Sequence, residues 1–324
     1  MSSPAFSVTA ASRSRYLRGF WSPTRGVRLP ADRHDLVARC EALRVALPEL
    51  VAFSGETSIA LWEGVVGSDE SLEVTIPAGA HPVRRVGVRA RRRDLVAGDV
   101  LDIHGLPLTS PGRTFVDVAE RLSVPNLVAV GDDFLRRRLC TRADIVAVIG
   151  RSAGQRGLQA AKRAAALLDA RAESPRESLT RALIAEACLP PPTPQIEIYD
   201  SVGRFIARGD LVYEDLKIVI EYDGYHHLTL EGQRRDARRR EELGLEHWLI
   251  VTVVPADIHR PQQLIAKVLR ALRAREARLT AGAEVTSDAL GSGAVCAERA
   301  LLQGNRPEIM RTTAHSAGPG KWPG

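Results

Sequence analysis

Residues 210–227 read DLVYEDLKIVIEYDGYHH, and the pattern inside this stretch decides how the second half of the chain folds. An apolar run follows Asp210, the polar residues Glu214 to Lys217 interrupt it, and a second run, KIVIEYD, continues to Asp223. Two such runs around a short polar break predict a β-hairpin. Strand side chains alternate between faces, so Glu221 and Asp223 share one face and Tyr222 takes the other. With Asp215 and Leu216 at the tip of the turn, Asp210 lies directly across from Glu221. Directly opposed residues hold their Cβ atoms about 4.5–5.5 Å apart. Two carboxylates about 5 Å apart repel by roughly 3 kcal/mol at an effective dielectric of 20, and an exposed ion pair returns only ~0–1 kcal/mol. Such a pair needs protons or a divalent cation, and a cation is the expectation.

Working outward, Ser174, Pro175 and Glu177 form a capping-box pattern that opens a helix, which stops before Pro190. QIEIYD, FIARGDLVY and KIVIEYDG read as three consecutive antiparallel strands. GQRRDARRREELGL reads as a helix and HWLIVTVV as a buried central strand. A last helix, PQQLIAKVLRALRAREARL, precedes a Gly-, Ser- and Pro-rich tail without periodicity, expected to be disordered.

The first half predicts mixed α and β structure. Residues 1 to about 30 suggest a basic hairpin or arm, and HDLVARCEALRVAL has helical spacing. SLEVTIP (71–77) and RRVGVRA (84–90) alternate like strands, and GDVLDIHGLPLT adds two more around Gly105. TSPGRTFVDVAERL, NLVAVGDDFLRRRL, ADIVAVIG after the capping-box pattern Thr141-x-x-Asp144, and GLQAAKRAAALLDA read as helices. His81, His104, Asp94, Asp99 and Asp102 are scattered and suit structural roles. Arg89, Arg91 and Arg93 fall on one side of a strand, which suits either a phosphate backbone or a solvated strand end.

Composition sets the outer bounds. The chain has 324 residues, 44% hydrophobic and 26% charged, long enough for two domains with their own cores. No window reaches the roughly 18 apolar residues of a membrane span and the N-terminus lacks a signal-peptide core, so the expectation is a cytoplasmic protein without a membrane partner. The four cysteines lie far apart and suggest neither a zinc site nor a disulfide framework. A net charge of +6 suits an anionic partner such as DNA.

SPRESLTR, ARGDLVY, IVIEYDGYHH and RRDARRREELGLEHWLIVTVVPADI, in that order, resemble the bacterial domain family related to the very-short-patch-repair endonuclease, with its PD-(D/E)xK restriction-endonuclease-like fold. GLPLTSPGRTFVDVAERL is similar to a region of proteins associated with abortive-infection type IV antitoxins. The resemblance implies a fold class of α/β type, with an α+β N-terminal domain at 1–170, an endonuclease-like domain with a mixed central sheet at 171–279 and the tail at 280–324. Asp210 matches the motif's first acid and Glu221 the second, both implied ligands of Mg2+ or Mn2+. Asp223 stands where the general motif has lysine, and His226 and His227 match histidines that the repair branch places nearby. Glu177 matches an acid on the first helix that points toward the same site, and it also suits a plain helix cap. Gln233, Asp236 and Arg239 lie on the helix that follows, whose arginines suit a face laced with i,i+4 ion pairs. His226 and His227 equally suit turn residues with no role.

Two functions follow as expectations. One is a metal-dependent DNA endonuclease using Asp210, Glu221, Asp223, His226, His227 and Glu177, with Arg89, Arg91 and Arg93 on the nucleic acid. The other is a nuclease-fold protein without activity, serving as a DNA-binding or antitoxin-like regulatory module. The missing lysine favours the second, and the intact acids favour the first.

Overall fold

The computed structural model describes residues 19–48, 51–64, 71–223 and 230–282. His226, His227 and residues 283–324 of the expected tail lie outside the described residues, as does the side chain of Gln233. Among the described residues two units emerge: those up to Val118 with Gly150–Ser152, and Ala119–Ile149 with Ala153–Gly282.

In the first unit, β1 (Phe20–Thr24) and β2 (Val27–Pro30) form an antiparallel hairpin. Asp35 caps α1 (Leu36–Ala46), its carboxylate accepting the Ala38 amide at 2.8 Å. A five-stranded sheet follows in the order β5 (Val88–Arg93), β4 (Leu72–Pro77), β3 (Ala52–Phe53), β7 (Leu106–Thr109), β6 (Val100–Ile103). Helices α2 (Gly55–Leu61) and α3 (Pro111–Val118) complete the unit. Phe53, Val74, Ile76, Leu108 and Leu43 form its core. The second expected strand, at 84–90, begins later than its alternation suggested, because Gly87 turns the chain at φ +74. From Val88 the strand runs parallel to β4 on the sheet's edge.

The second unit opens with α4 (Val124–Arg136), α5 (Arg142–Arg151), α6 (Leu158–Leu167) and α7 (Pro175–Glu186). Thr141 and Asp144 form a full capping box ahead of α5: each side chain accepts the other residue's amide, at 2.8 and 3.2 Å. Then come β8 (Thr193–Tyr199), β9 (Phe205–Tyr213), β10 (Ile218–Tyr222), α8 (Leu230–Leu245), β11 (Leu249–Val253), α9 (Pro255–His259) and α10 (Pro261–Gly282). The sheet is mixed. β8, β9 and β10 are antiparallel, and β11 runs parallel to β10.

HWLIVTVV departs from expectation. β11 is the edge of this sheet among the described residues, in the order β11-β10-β9-β8. Its apolar run is explained by cover on both faces rather than by a central place. Val251 and Val253 pack with Ile218, Ile220, Leu211 and residues of α7, α9 and α10, while Ile250 packs beside Val219, Val212 and Leu243 of α8. The alternation in β10 is thus a partition between two cores. Each fully buried Ile or Val contributes roughly 1.5–3 kcal/mol. Glu221 falls on the α8 side of that partition, among the residues that face Leu243.

Candidate functional site

The site grows out of the β9–β10 hairpin. Its turn closes with the Lys217 amide donating to the Glu214 carbonyl at 3.0 Å, Lys217 having φ +48. Pairing runs Ile218↔Tyr213, Val219↔Val212 and Ile220↔Leu211, so the next step sets Asp210 across from Glu221. That is the register the sequence predicts. The Asp210 carboxylate accepts the Tyr222 amide at 3.1 Å. Tyr222 itself turns to the opposite face, where the Arg176 guanidinium lies 4.9 Å over its ring.

Glu221 is 8% exposed, and a cation already meets it. Arg239 of α8 approaches with both terminal nitrogens, Nη1 at 2.7 Å from Oε1 and Nη2 at 2.9 Å from Oε2. The first contact is a charge contact out of line for a hydrogen bond, since Oε1 has no hydrogen-bond donor. The second is a proper hydrogen bond. Burial raises the Glu221 pKa above the ordinary carboxylate range; Arg239 opposes the rise and Asp210 adds to it. Burial also raises the Asp210 pKa, with the Tyr222 amide opposing and Glu177 reinforcing.

Glu177 fills the role of a helix-end bracket. Ser174 Oγ accepts the Glu177 amide at 3.2 Å, and the Glu177 carboxylate reaches back to accept the Glu173 amide at 3.0 Å. The same oxygen accepts from Gln195 Nε2 at 2.8 Å. Gln195 sits at φ +57 between Pro194 and Ile196, which pair with Leu211 and Gly209, so it stands opposite Asp210. Sequence reasoning passed over Gln195. Its signal was a polar residue at the position of β8 that faces the Asp210 position of β9. Asp223 follows the end of β10, exposed, with its amide donating to the Val253 carbonyl at 2.8 Å.

A magnesium ion needs oxygen ligands with lone pairs to spare. Here Glu221 is matched by a guanidinium, one Asp210 oxygen takes a backbone amide, and Glu177 Oε2 takes two donors. Among the described residues, no group of three or more His, Cys, Asp or Glu side chains is placed to hold a metal ion. The acids as arranged fit an arginine better than a hard cation.

The two arginine groups differ from expectation in opposite directions. On β5, Arg93 Nε lies 3.3 Å from buried Asp117, and Arg89 Nη1 lies 3.9 Å from buried Glu73. Arg91 is half-buried between them. On α8, Arg239 reaches Asp236 at 4.0 Å, but Arg234, Arg235, Arg238 and Arg240 are exposed and make no hydrogen bond or ion pair among the described residues. The expected i,i+4 lacing is not formed there. Glu242, four residues after Arg238, lies 3.9 Å from Arg204 instead. An arginine placed N-terminal to its acid is also the weaker orientation for such a pair.

Comparison with known proteins adds three findings. Residues 68–170 match the AbiEi antitoxin C-terminal domain. The uncharacterized proteins MT2308 and Rv2248 of two Mycobacterium tuberculosis strains are each 31% identical over 257 residues, covering 76% of this chain and 91% of the relative. A crystal structure of the RV2827C protein from Mycobacterium tuberculosis aligns with a TM-score of 0.34 at 18% identity, over 50% of this chain and 64% of that one. Among the described residues, no helix is long and apolar enough to cross a membrane.

Proposed function

We propose a DNA-binding regulatory function from one premise: the chain belongs to the same family as the Mycobacterium tuberculosis proteins MT2308 and Rv2248. The match of residues 68–170 to the AbiEi antitoxin C-terminal domain supports an antitoxin-like module. The nuclease-like second unit then serves binding rather than hydrolysis. The observation that carries this reading is Arg239 across both oxygens of Glu221. A guanidinium bound in that way leaves Glu221 charge-balanced without a metal, and Asp223 supplies no replacement for the motif lysine. The net charge of +6 suits an anionic partner.

The test is a set of thermal melts of the full chain with added MgCl2 or MnCl2, alongside incubation with duplex, single-stranded, nicked and mismatched DNA. The expected result is DNA binding with no metal-dependent rise in melting temperature and no cleavage. A ligand that binds only the folded state must raise its stability. A rise with metal, together with cleavage lost in Asp210→Ala and Glu221→Ala, would overturn the regulatory reading. That outcome is the second reading, a Mg2+- or Mn2+-dependent endonuclease in which Glu177, Asp223, His226 and His227 assist. It is favoured by the placement of Asp210 directly opposite Glu221.

A further inference from the structure

We infer that the second unit meets duplex DNA along α8, with Arg234, Arg235, Arg238 and Arg240 as its phosphate contacts. The inference rests on the DNA-binding reading above and adds the surface that does the binding. Its warrant is the contrast between the two arginine groups. On β5, Arg89 and Arg93 lie against the buried acids Glu73 and Asp117, so part of their charge is already balanced within the protein. On α8, four exposed guanidiniums make no hydrogen bond or ion pair among the described residues.

Helical geometry lays those four out usefully. Arg239 and Leu243, four residues apart, share the face turned to the sheet: Leu243 is fully buried and Arg239 holds Glu221. Arg234 and Arg238 are likewise four residues apart, and at 3.6 residues per turn they fall on the far side of the helix, one turn from each other. Arg235 and Arg240 fall on opposite flanks. Of the acids on the helix, Asp236 is turned to Arg239 and Glu242 to Arg204, while exposed Glu241 falls on the outer face and offsets one of the four charges. The outer face is thus left with a surplus of positive charge.

Arg239 has a part in this without touching DNA. Asp210 and Glu221 lie beneath α8, and Arg240 is close enough to lower the pKa of Glu221. Two bare carboxylates there would repel a phosphate backbone laid along the helix. The guanidinium on Glu221 cancels one of those charges, making Arg239 a positioning residue for the surface rather than a contact.

The experiment measures binding of a labelled duplex to the full chain between about 50 and about 200 mM salt. The variant carries Arg234→Ala, Arg235→Ala, Arg238→Ala and Arg240→Ala. All four side chains are exposed, and a thermal melt matching the parent confirms the fold. The expected result is weaker binding, with the slope of log affinity against log salt shallower by about 0.9 for each arginine that meets a phosphate. If two to four of them do, the slope changes by about 1.8 to about 3.6. Replacing the same four with lysine keeps the charge and restores most of the parent slope. A triple variant with Arg89→Ala, Arg91→Ala and Arg93→Ala keeps the parent slope. If the triple variant flattens the slope and the α8 variant does not, DNA binding stands and α8 is the wrong surface. If the parent binds no duplex even at the lowest salt, this surface and the DNA-binding reading fall together, and an acidic protein partner replaces DNA.

Discussion

Arg239 and Glu221 are one pair drawn from two elements, and only half of it was legible in the sequence. Period-two alternation around a polar break places Glu221 opposite Asp210, because a strand's side chains have only two directions to choose from. The docking of α8 on the sheet has no such constraint, so the contact of Arg239 with Glu221 waited for the structure. Removing the arginine tests what it does. Arg239→Ala leaves a carboxylate 8% exposed without its cation, and the expected loss is on the order of 1–3 kcal/mol by chemical denaturation, since Arg239 is itself partly exposed. Adding Glu221→Gln to that variant is expected to recover much of the loss; a double variant no more stable than the single would remove the charge argument. Asp210 gives the pH prediction. Its folded pKa is raised, first by burial. The folded state therefore holds the proton more tightly than the unfolded state, and the stability this gives is full below the ordinary carboxylate value and lost as pH climbs through the raised one. Asp210→Asn keeps an oxygen for the Tyr222 amide and removes that loss. The melting-temperature difference, variant minus parent, is expected to grow more positive from about pH 4 upward and then level off. A difference that shrinks with rising pH would show that the carboxylate is stabilised by its surroundings.

Elements in this chain are set by local signals where caps and turns speak, and by packing where they do not. The capping box before α5, the proline at the start of α7 and the turn at 214–217 all stand where the sequence put them. β11 was misplaced as central because an apolar run reports only that both faces are covered, and α8 and α10 cover them from opposite sides. Gly157, just before α6, carries a constraint that local pattern hides. It sits at φ +80, and a Cβ there would stand 2.4 Å from the Ala119 carbonyl carbon and the Glu120 amide nitrogen. The left-handed conformation costs a non-glycine residue about 1–2 kcal/mol, and overpacking adds typically 1–3 kcal/mol. Gly157→Ala is accordingly expected to destabilise the second unit by roughly 2–5 kcal/mol in denaturant unfolding. Gly154→Ala, at φ +75 with open space around it, is expected to cost only the conformational part. Equal losses at the two positions would mean that the backbone of Ala119 and Glu120 yields readily.

At the scale of the whole molecule, the resemblance to known families led to an expected boundary at residue 170, between an α+β first half and the string of motifs that begins at Ser174. Packing gives α4 to α6 a different allegiance, and the reason is a buried pair that no composition window detects. Asp132 of α4 is 1% exposed and Arg181 of α7 is 5% exposed, with Arg181 Nη2 donating to Asp132 at 2.7 Å. The Asp169 amide donates to the same carboxylate, and Arg181 Nη1 donates to the Leu167 carbonyl. Ala129 of α4 lies in the same apolar cluster as Leu179, Leu183 and Leu211. A fragment of residues 171–282 would therefore expose one side of α7 and leave Arg181 without its carboxylate. Breaking a buried pair by removing one partner typically costs about 3–5 kcal/mol, comparable to much of the ~5–15 kcal/mol that holds a domain together. The fragment 119–282 is expected to melt cooperatively, and the fragment 171–282 to melt broadly at lower temperature or to aggregate. Within the full chain, Asp132→Ala is expected to cost more than Asp132→Ala combined with Arg181→Met, because the double variant leaves no orphaned charge. Should 171–282 melt as sharply and as high as 119–282, α4 to α6 would be a separate body, and the second unit would begin where the motifs do.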